Sequence, residues 1–181
     1  MIDFSGHPPL VAVEDLPEGV EATDDLIGTV CEAVRGWCGW HIAPSHSETL
    51  VVDNVGNKVV HLPTMHLTDV EKVEDYDGHE LSGFRFSRDG MLHREAGWPK
   101  GFQAISASVT HGLDSAPADV LAVVVDMIRD YMAAEEASAS GPAPTDVRLD
   151  GAQIQFESYS VAGVRRRIAT SYGQILNRYR L

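Results

Sequence analysis

Apolar residues recur at helical spacing near the start of the chain and again beyond its middle. Thr23 belongs to the residue types that cap helices, and the stripe behind it predicts a helix near 24–39. Pro117 precedes the second stripe, which predicts a helix near 118–137. We expect the two stripes to supply a helical core with these members: Leu26, Val30, Val34, Trp37, Leu121, Val124, Val125 and Ile128.

Short β-prone segments replace the helical pattern between these two helices. They lie between about residues 49 and 111 and are separated by turn residues, among them two Asp-Gly pairs. Such pairs between β-prone runs are strong hairpin signals. The last segment alternates, with Ile105, Ala107 and Val109 on one face. The block at about 49–111 is therefore predicted to be an antiparallel β unit.

The chain beyond the second helix begins with a Ser-, Gly- and Pro-rich stretch that is typical of a linker. The sequence RLDGAQIQFESYS then predicts a hairpin or an extended segment, and an apolar stripe that includes Ile168, Tyr172 and Ile175 predicts a helix near 162–180. The predicted fold class is α+β, a helical framework with an inserted β unit. The predicted domains are an N-terminal arm (1–22), a helical core (23–48 and 112–140), the β domain (49–111), and a linker with a basic C-terminal segment (141–181).

Charge is distributed unevenly along the sequence. The net charge is −13, yet the stretch from Ser158 to Leu181 holds five of the fourteen basic residues and none of the 27 acidic ones. The acidic body argues against a surface that wraps DNA, which needs clustered Lys and Arg. The basic end predicts a contact of its own, although its arginines can also merely balance the charge of the body.

Composition also limits the location of the protein. No run approaches eighteen consecutive apolar residues, and the first twenty residues lack the features of a secretory signal, so we expect no membrane contact. Cys31 and Cys38 fall on one predicted helix, roughly 10 Å apart along its axis, which is too far for a disulfide. Two buried, reduced thiols are expected.

Eight histidines raise the question of a metal site. His41 and His46 are five residues apart, as are His61 and His66, while the others named here are scattered through the β block: His79, His93 and His111. Residues five apart on a strand face opposite sides, so the pairs converge only where a turn brings them together. The HExxH motif and zinc-ribbon cysteine spacing are both absent. We therefore expect no metal site and no cofactor.

Nucleophile and phosphate-binding motifs are also missing from the sequence. It contains no GxSxG, no GxxxxGK[ST] and no GxGxxG after a strand. Asp75 and Asp77 could form a carboxylate pair, but both lie in a predicted turn of a very acidic chain. The sequence nominates no catalytic residue, and we expect a protein that is not an enzyme.

Three local patterns together resemble a known family. They are CGWHIAP at the end of the first helix, the strand-turn-helix sequence from Val109 through Thr110, His111 and Gly112 to Pro117, and the closing FESYSV…ILNRYR. In this order they resemble the head-to-tail adaptor (connector) proteins of siphophage necks, related to the gp6-like family, and particularly its actinobacteriophage members. The resemblance covers most of the chain from Leu26 to Leu181. The arm before Leu26 matches no motif of that family, and the β block is longer than in compact relatives.

The resemblance implies a structural virion protein in the particle neck, assembled in the host cytoplasm. Relatives imply a dodecameric ring that joins the portal protein to head-closure or tail proteins, with genomic DNA passing through its channel without specific binding. Such a ring needs two different patches on each subunit. Because Arg is favoured in interface ion pairs, we expect the basic end to contact another protein, and relatives imply that this protein is the portal. The expected contact residues are Arg165, Arg166, Arg167, Tyr172, Arg178, Tyr179 and Arg180.

Two other interpretations stay open. The protein could occupy another neck position, as a head-closure or tail-terminator subunit, although the two strong helices disfavour those predominantly β classes. The second alternative is a metal-binding module built on the histidines of the β block.

Overall fold

A computed structural model describes residues 4, 6–139, 147–149, 152–154 and 166–181. The chain divides into two compact units, which are described separately below. The first, called the β unit, comprises Met1–Leu10, Cys38–Ala116 and Tyr179–Leu181. The second, called the helical unit, comprises Val11–Trp37 and Pro117–Arg178.

The β unit contains two antiparallel sheets of three strands each. Their orders are β1-β6-β3 and β2-β5-β4. The strands are β1 (His46–Asn54), β2 (Val59–His61), β3 (Leu67–Asp75), β4 (Phe84–Phe86), β5 (Met91–Arg94) and β6 (Gly101–His111). The predicted α+β class with an antiparallel β unit is confirmed. The unit starts earlier than the predicted boundary at residue 49, because β1 already begins at His46.

Strand β6 is central to its sheet and carries the core of the β unit. Ile105, Ala107 and Val109 are all buried, as the alternation predicted. They pack in one cluster with buried residues from the neighbouring strands and loops, including Leu50, Val73, Leu92 and Trp98. Outward-facing Ser and Thr residues alternate with them, as expected for a sheet with one face in water.

The Asp89-Gly90 turn connects β4 and β5 and requires its glycine. Gly90 has a φ of +77°, a conformation that side chains rarely adopt. A Cβ atom at this position would lie 2.6 Å from the carbonyl oxygen of Thr64 and 2.8 Å from that of Leu62. The glycine thus lets the hairpin turn pack directly against a neighbouring loop backbone.

The helical unit is built on two long helices, α1 (Asp24–Cys38) and α2 (Ala118–Ala139). Thr23 caps α1, since its Oγ1 accepts a hydrogen bond of 3.3 Å from the N–H of Leu26. Helix α1 ends at Cys38, one residue before the predicted end at 39. Gly39 itself adopts a φ of +85°. Among the predicted core residues, Leu26, Trp37 and Leu121 are half-buried and the others are buried: Val30, Val34, Val124, Val125 and Ile128.

No disulfide joins Cys31 and Cys38, and both thiols are buried as expected. Burial raises the pKa of Cys38 to about 12, although the charge of Arg180 acts to lower it. Among the described helices, none has the length and apolar character that crossing a membrane requires.

The predicted hairpin after α2 is present as β7 (Val147–Leu149) paired with β8 (Ala152–Ile154). Residues 155–165, which include the predicted start of the last helix at 162, lie outside the described part of the chain. The chain is described again from Arg166 to its end.

The C-terminal helical stretch differs from prediction in its register. It passes through a π-helical turn (Ile168–Tyr172), the short helix α3 (Gly173–Leu176) and a final 3-10 turn (Asn177–Tyr179). A π-helical turn takes up an extra residue. Beyond it the buried positions are therefore Gly173 and Leu176, while Ile175 is exposed. The prediction that Ile175 lies on the buried stripe is wrong for this reason.

Candidate functional site

Six of the seven predicted docking residues lie in the arginine segment, which comprises residues 166–181. Arg166, Arg178 and Arg180 are exposed, whereas Arg167 and the two tyrosines of the prediction, Tyr172 and Tyr179, are half-buried. Arg165 lies outside the described residues.

Acidic side chains of α2 hold two of these arginines within the helical unit. Arg167 Nη2 lies 2.9 Å from Asp130 Oδ2, and Arg178 Nη1 lies 3.2 Å from Asp119 Oδ2. The hydroxyl of Tyr172 donates a 3.4 Å hydrogen bond to the same oxygen of Asp130. Burial, followed by the nearby charge of Asp130, raises the pKa of Tyr172. Three of the predicted docking residues, Arg167, Tyr172 and Arg178, therefore already have partners in their own chain.

Apolar contacts and hydrogen bonds fix the rest of the segment. Ile168 and Leu176 are fully buried. Trp37 Nε1 donates a 3.2 Å hydrogen bond to Asn177 Oδ1 in the helical unit. In the β unit, Trp40 Nε1 donates a 2.7 Å hydrogen bond to the carbonyl oxygen of Tyr179. The segment is thus held by buried side chains and hydrogen bonds, while its arginines keep one side exposed.

A second group of candidate side chains surrounds Glu48 in the β unit. It is called the histidine cluster and consists of Glu48 with His7, His41, His46 and His111. Side chains alternate along a strand, so the inward face of β1 that carries Leu50 also carries Glu48 and His46.

The partner strand supplies the next member. On β6 the inward series that ends with Val109 is followed by His111, which is paired directly with His46 across the two strands. His41 precedes β1 by a short turn, and His7 comes from the N-terminal arm. The inward face of the sheet is therefore apolar at Leu50 and Val109 and polar at its end, where the histidine cluster lies.

Distances within the histidine cluster centre on one oxygen atom. Glu48 Oε1 lies 2.7 Å from His111 Nε2, 3.3 Å from His7 Nε2 and 3.8 Å from His46 Nε2. The ring of His41 lies close by, with its centroid 4.9 Å from that of His46. Nε2 of His41 is hydrogen-bonded to the carbonyl oxygen of Pro44.

The electrostatics of the cluster favour a charged Glu48. Burial alone would raise its pKa, but hydrogen bonds and charges from His111 and His7 outweigh burial and lower the pKa to about 2. Nδ1 of His7 and Nδ1 of His111 are buried and have no hydrogen-bond partner among the described residues. The carboxylate of Glu48 thus has its hydrogen-bond partners, whereas one nitrogen each of His7 and His111 has none among the described residues.

The structure brings together His41, His46 and His111, of which the sequence showed the last only as one of several histidines scattered through the β block. A turn at Ala43 and Pro44 brings the first two together, which is the exception that the five-residue spacing allowed. The alternation of β6 could have placed His111 inside, since it extends the buried series by one step. Nothing in the sequence around His7 indicated a contact 41 residues away in the chain.

The remaining histidines lie apart from the cluster. His61 is exposed, and His66 Nδ1 lies 2.8 Å from the carbonyl oxygen of Gly112. His93 lies 3.7 Å from Glu95 on the surface.

Asp75 is the last residue of β3, and Asp77 lies in the turn that follows it. Asp75 Oδ1 accepts hydrogen bonds from the backbone N–H groups of Asp77 and His79, at 3.0 and 2.9 Å. His79 Nδ1 lies 3.2 Å from the other carboxylate oxygen of Asp75. The side chain of Asp75 is therefore hydrogen-bonded within this surface turn.

Comparison with known proteins gives one finding about the fold. The chain is similar to a chain in the neck of a native GTA particle, in a structure computed with C12 symmetry. The TM-score is 0.54, the sequences are 15% identical, and the match covers 96% of this chain and 93% of the other. At this identity the likeness shows the fold. No protein-family model matches the sequence, and no curated protein does.

Proposed function

We propose that the protein is a structural, ring-forming subunit of the neck of a tailed phage or phage-like particle. The observation that carries the proposal is the fold shared with a chain of a C12-symmetric neck over nearly the full length of both chains. The order of short motifs seen in the sequence supports the same class of protein independently.

Within the neck, we assign the chain to the adaptor position, as a member of the gp6-like connector family of the actinobacteriophage type. The adaptor would join the portal protein to the head-closure or tail proteins, in a particle assembled in the host cytoplasm. The two long helices α1 and α2 favour this position over head-closure or tail-terminator subunits, which are predominantly β. The role needs no catalytic residue, and we propose that the protein is not an enzyme.

Twelve copies would form the ring and line a channel for genomic DNA. The net charge of −13 supports such a role, because a wall that bound phosphates tightly would slow the passage of DNA. The C12 symmetry of the similar neck supports the copy number. Closed rings need two different patches on each subunit, and a chain with two compact units can provide them.

The arginine segment would form the portal contact. Its arginines keep much of their side-chain surface exposed, 42% for Arg167 and 69% for Arg178, while their ion pairs hold them in place. Exposed ion pairs contribute little to stability, so exchanging them for acidic groups of a partner costs little. Arginine is also enriched at protein interfaces.

Ring formation is tested by electron microscopy of the purified full-length chain, alone and mixed with the portal protein of the same particle. Twelvefold rings, or twelvefold additions to the portal ring, are expected. A chain that stays monomeric and does not bind the portal would contradict the proposal.

The docking surface is tested by the triple variant Arg165→Ala, Arg166→Ala, Arg167→Ala. We expect an unchanged circular dichroism spectrum and portal binding weakened by at least about tenfold, because interface arginines are frequent hot spots. The matched control is Arg85→Ala with Arg88→Ala, which removes exposed arginines of the β unit. Equal binding by the triple variant and the control would place the portal contact elsewhere.

A further inference from the structure

We propose that the histidine cluster is a binding site for a divalent transition-metal ion of the Zn²⁺ class. His7 Nε2, His46 Nε2 and Glu48 Oε1 are the ligands. His111 does not bind the ion but holds Glu48 in position through a hydrogen bond. The three ligand atoms all lie within 4.8 Å of one another. This inference does not rest on the proposed neck role.

Ligand spacing supports the assignment. Zinc binds imidazole nitrogen and carboxylate oxygen at about 2.0–2.2 Å, so two ligands of one tetrahedral ion lie about 3.3 Å apart. The separation of Glu48 Oε1 from His7 Nε2 is 3.3 Å, and that from His46 Nε2 is 3.8 Å. A movement of about 0.5 Å by the His46 side chain would bring its distance from Glu48 Oε1 to the tetrahedral spacing as well.

His111 fits the role of an outer partner better than that of a ligand. Its Nε2 lies 2.7 Å from Glu48 Oε1, which is the length of a charge-assisted hydrogen bond and too short for two ligands of the same ion. Outer groups that hold a ligating carboxylate in place are a regular feature of metal sites and raise their affinity.

The chemistry of the donors selects the class of metal. Two imidazoles and one carboxylate suit zinc and its neighbours in the first transition row. Calcium and magnesium prefer sites made almost entirely of oxygen, and this cluster offers a single carboxylate. Three protein ligands leave one coordination position for water.

The side chains of the proposed site differ in their exposure to solvent. The side-chain exposures of His7, Glu48 and His46 are 9, 21 and 25%, whereas His111 is 1% exposed. The three ligands therefore lie nearer the protein surface than His111, the buried partner of Glu48. Because His7 belongs to the N-terminal arm and the other ligands to β1, a bound ion would cross-link the arm to the sheet.

The surface turn formed by Asp75, Asp77 and His79 is the competing metal site. Its donor atoms also lie within 4.8 Å of one another. However, Asp75 is already committed to two backbone N–H groups and His79 is 75% exposed. We therefore use this turn as a control.

The test is calorimetric titration of the untagged, full-length, EDTA-treated chain with Zn²⁺, followed by metal analysis after dialysis. One ion per chain is expected, and excess Mg²⁺ should not compete. His7→Ala should weaken binding by at least about tenfold, and His111→Ala by about 10–100-fold, the range typical of outer-shell partners. Co²⁺ substituted for Zn²⁺ should show the visible absorption of a four-coordinate ion.

The controls are His79→Ala and His61→Ala, which should both bind like the wild type. His7→Ala is the deciding variant because it removes a ligand without changing a residue of the sheet, and its unfolding curve shows whether the sheet remains intact. The proposal is overturned if the wild type binds no stoichiometric Zn²⁺, or if His7→Ala binds as tightly as the wild type. Loss of binding in His79→Ala alone would assign the metal to the surface turn instead.

Discussion

The histidine cluster and the arginine segment both bring basic side chains to acidic ones, but under opposite conditions. In the cluster several imidazoles share one largely buried carboxylate, that of Glu48. In the arginine segment each ion pair joins a separate acid of α2, and the side chains keep contact with water.

The difference determines how much free energy each region loses when a charged side chain is left without its partner. Buried polar groups that lose their partner impose a large cost on the folded state, so the cluster must stay assembled or be completed by a ligand. Exposed pairs are screened and contribute little, so the arginines can change partners. The first arrangement suits a fixed structural site, and the second suits a docking surface.

The largest expected effect tests whether apolar packing, rather than its ion pairs, fixes the arginine segment. Leu176→Ala removes a fully buried side chain and should lower the free energy of unfolding by about 2–5 kcal/mol in a urea titration. Ile175→Ala is the matched control at an exposed position, where a much smaller loss is expected. Equal losses would show that the π-helical turn does not set the register of this segment in solution.

The next effect tests the cost of dismantling the histidine cluster. In metal-free buffer, Glu48→Ala leaves His7 and His111 without their shared acceptor and should destabilise the protein by about 1–3 kcal/mol. Glu95→Ala removes an exposed carboxylate that pairs with Lys58 at 2.9 Å, and no measurable change is expected. The free energy of unfolding of both variants is measured by urea titration. Equal losses would contradict the distinction between the histidine cluster and an exposed ion pair.

The smallest effect concerns the ion pair between Arg167 and Asp130. A double-mutant cycle with Arg167→Ala and Asp130→Ala should give a coupling energy of about 0.2–1 kcal/mol, decreasing with added salt. Asp130 also accepts a hydrogen bond from Tyr172, so the single variant Asp130→Ala should cost more than Arg167→Ala. A coupling energy well above this range would mean that the segment is held mainly by charge.

Much of the fold follows from local patterns in the sequence. The alternation along β6 and the turn glycines predict the β unit, because side-chain direction on a strand and a positive φ are local properties. The register of the C-terminal stretch could not be predicted, since regular helical spacing assumes that no π-helical turn intervenes. The start of β1 at His46 was missed because His, Ser and Glu give little β signal.

The candidate sites were predicted unevenly. The arginine segment is visible as a charge asymmetry, but its ion pairs with Asp119 and Asp130 depend on how the segment packs beside α2. The histidine cluster needed tertiary information, because its members come from the arm, a turn and two strands. Only His111 carried a local signal, as the continuation of a buried alternating series.

The distances along the chain between members of the histidine cluster have a kinetic consequence. Glu48 is 41 residues from His7 and 63 residues from His111, so the cluster closes large loops. Closing such loops is slow unless neighbouring strands have already paired. Pairing of β1 with β6 already brings Glu48 to His111, so the contact with His7 is the one that we expect to form after the folding transition state. A contact formed that late should slow unfolding rather than accelerate folding.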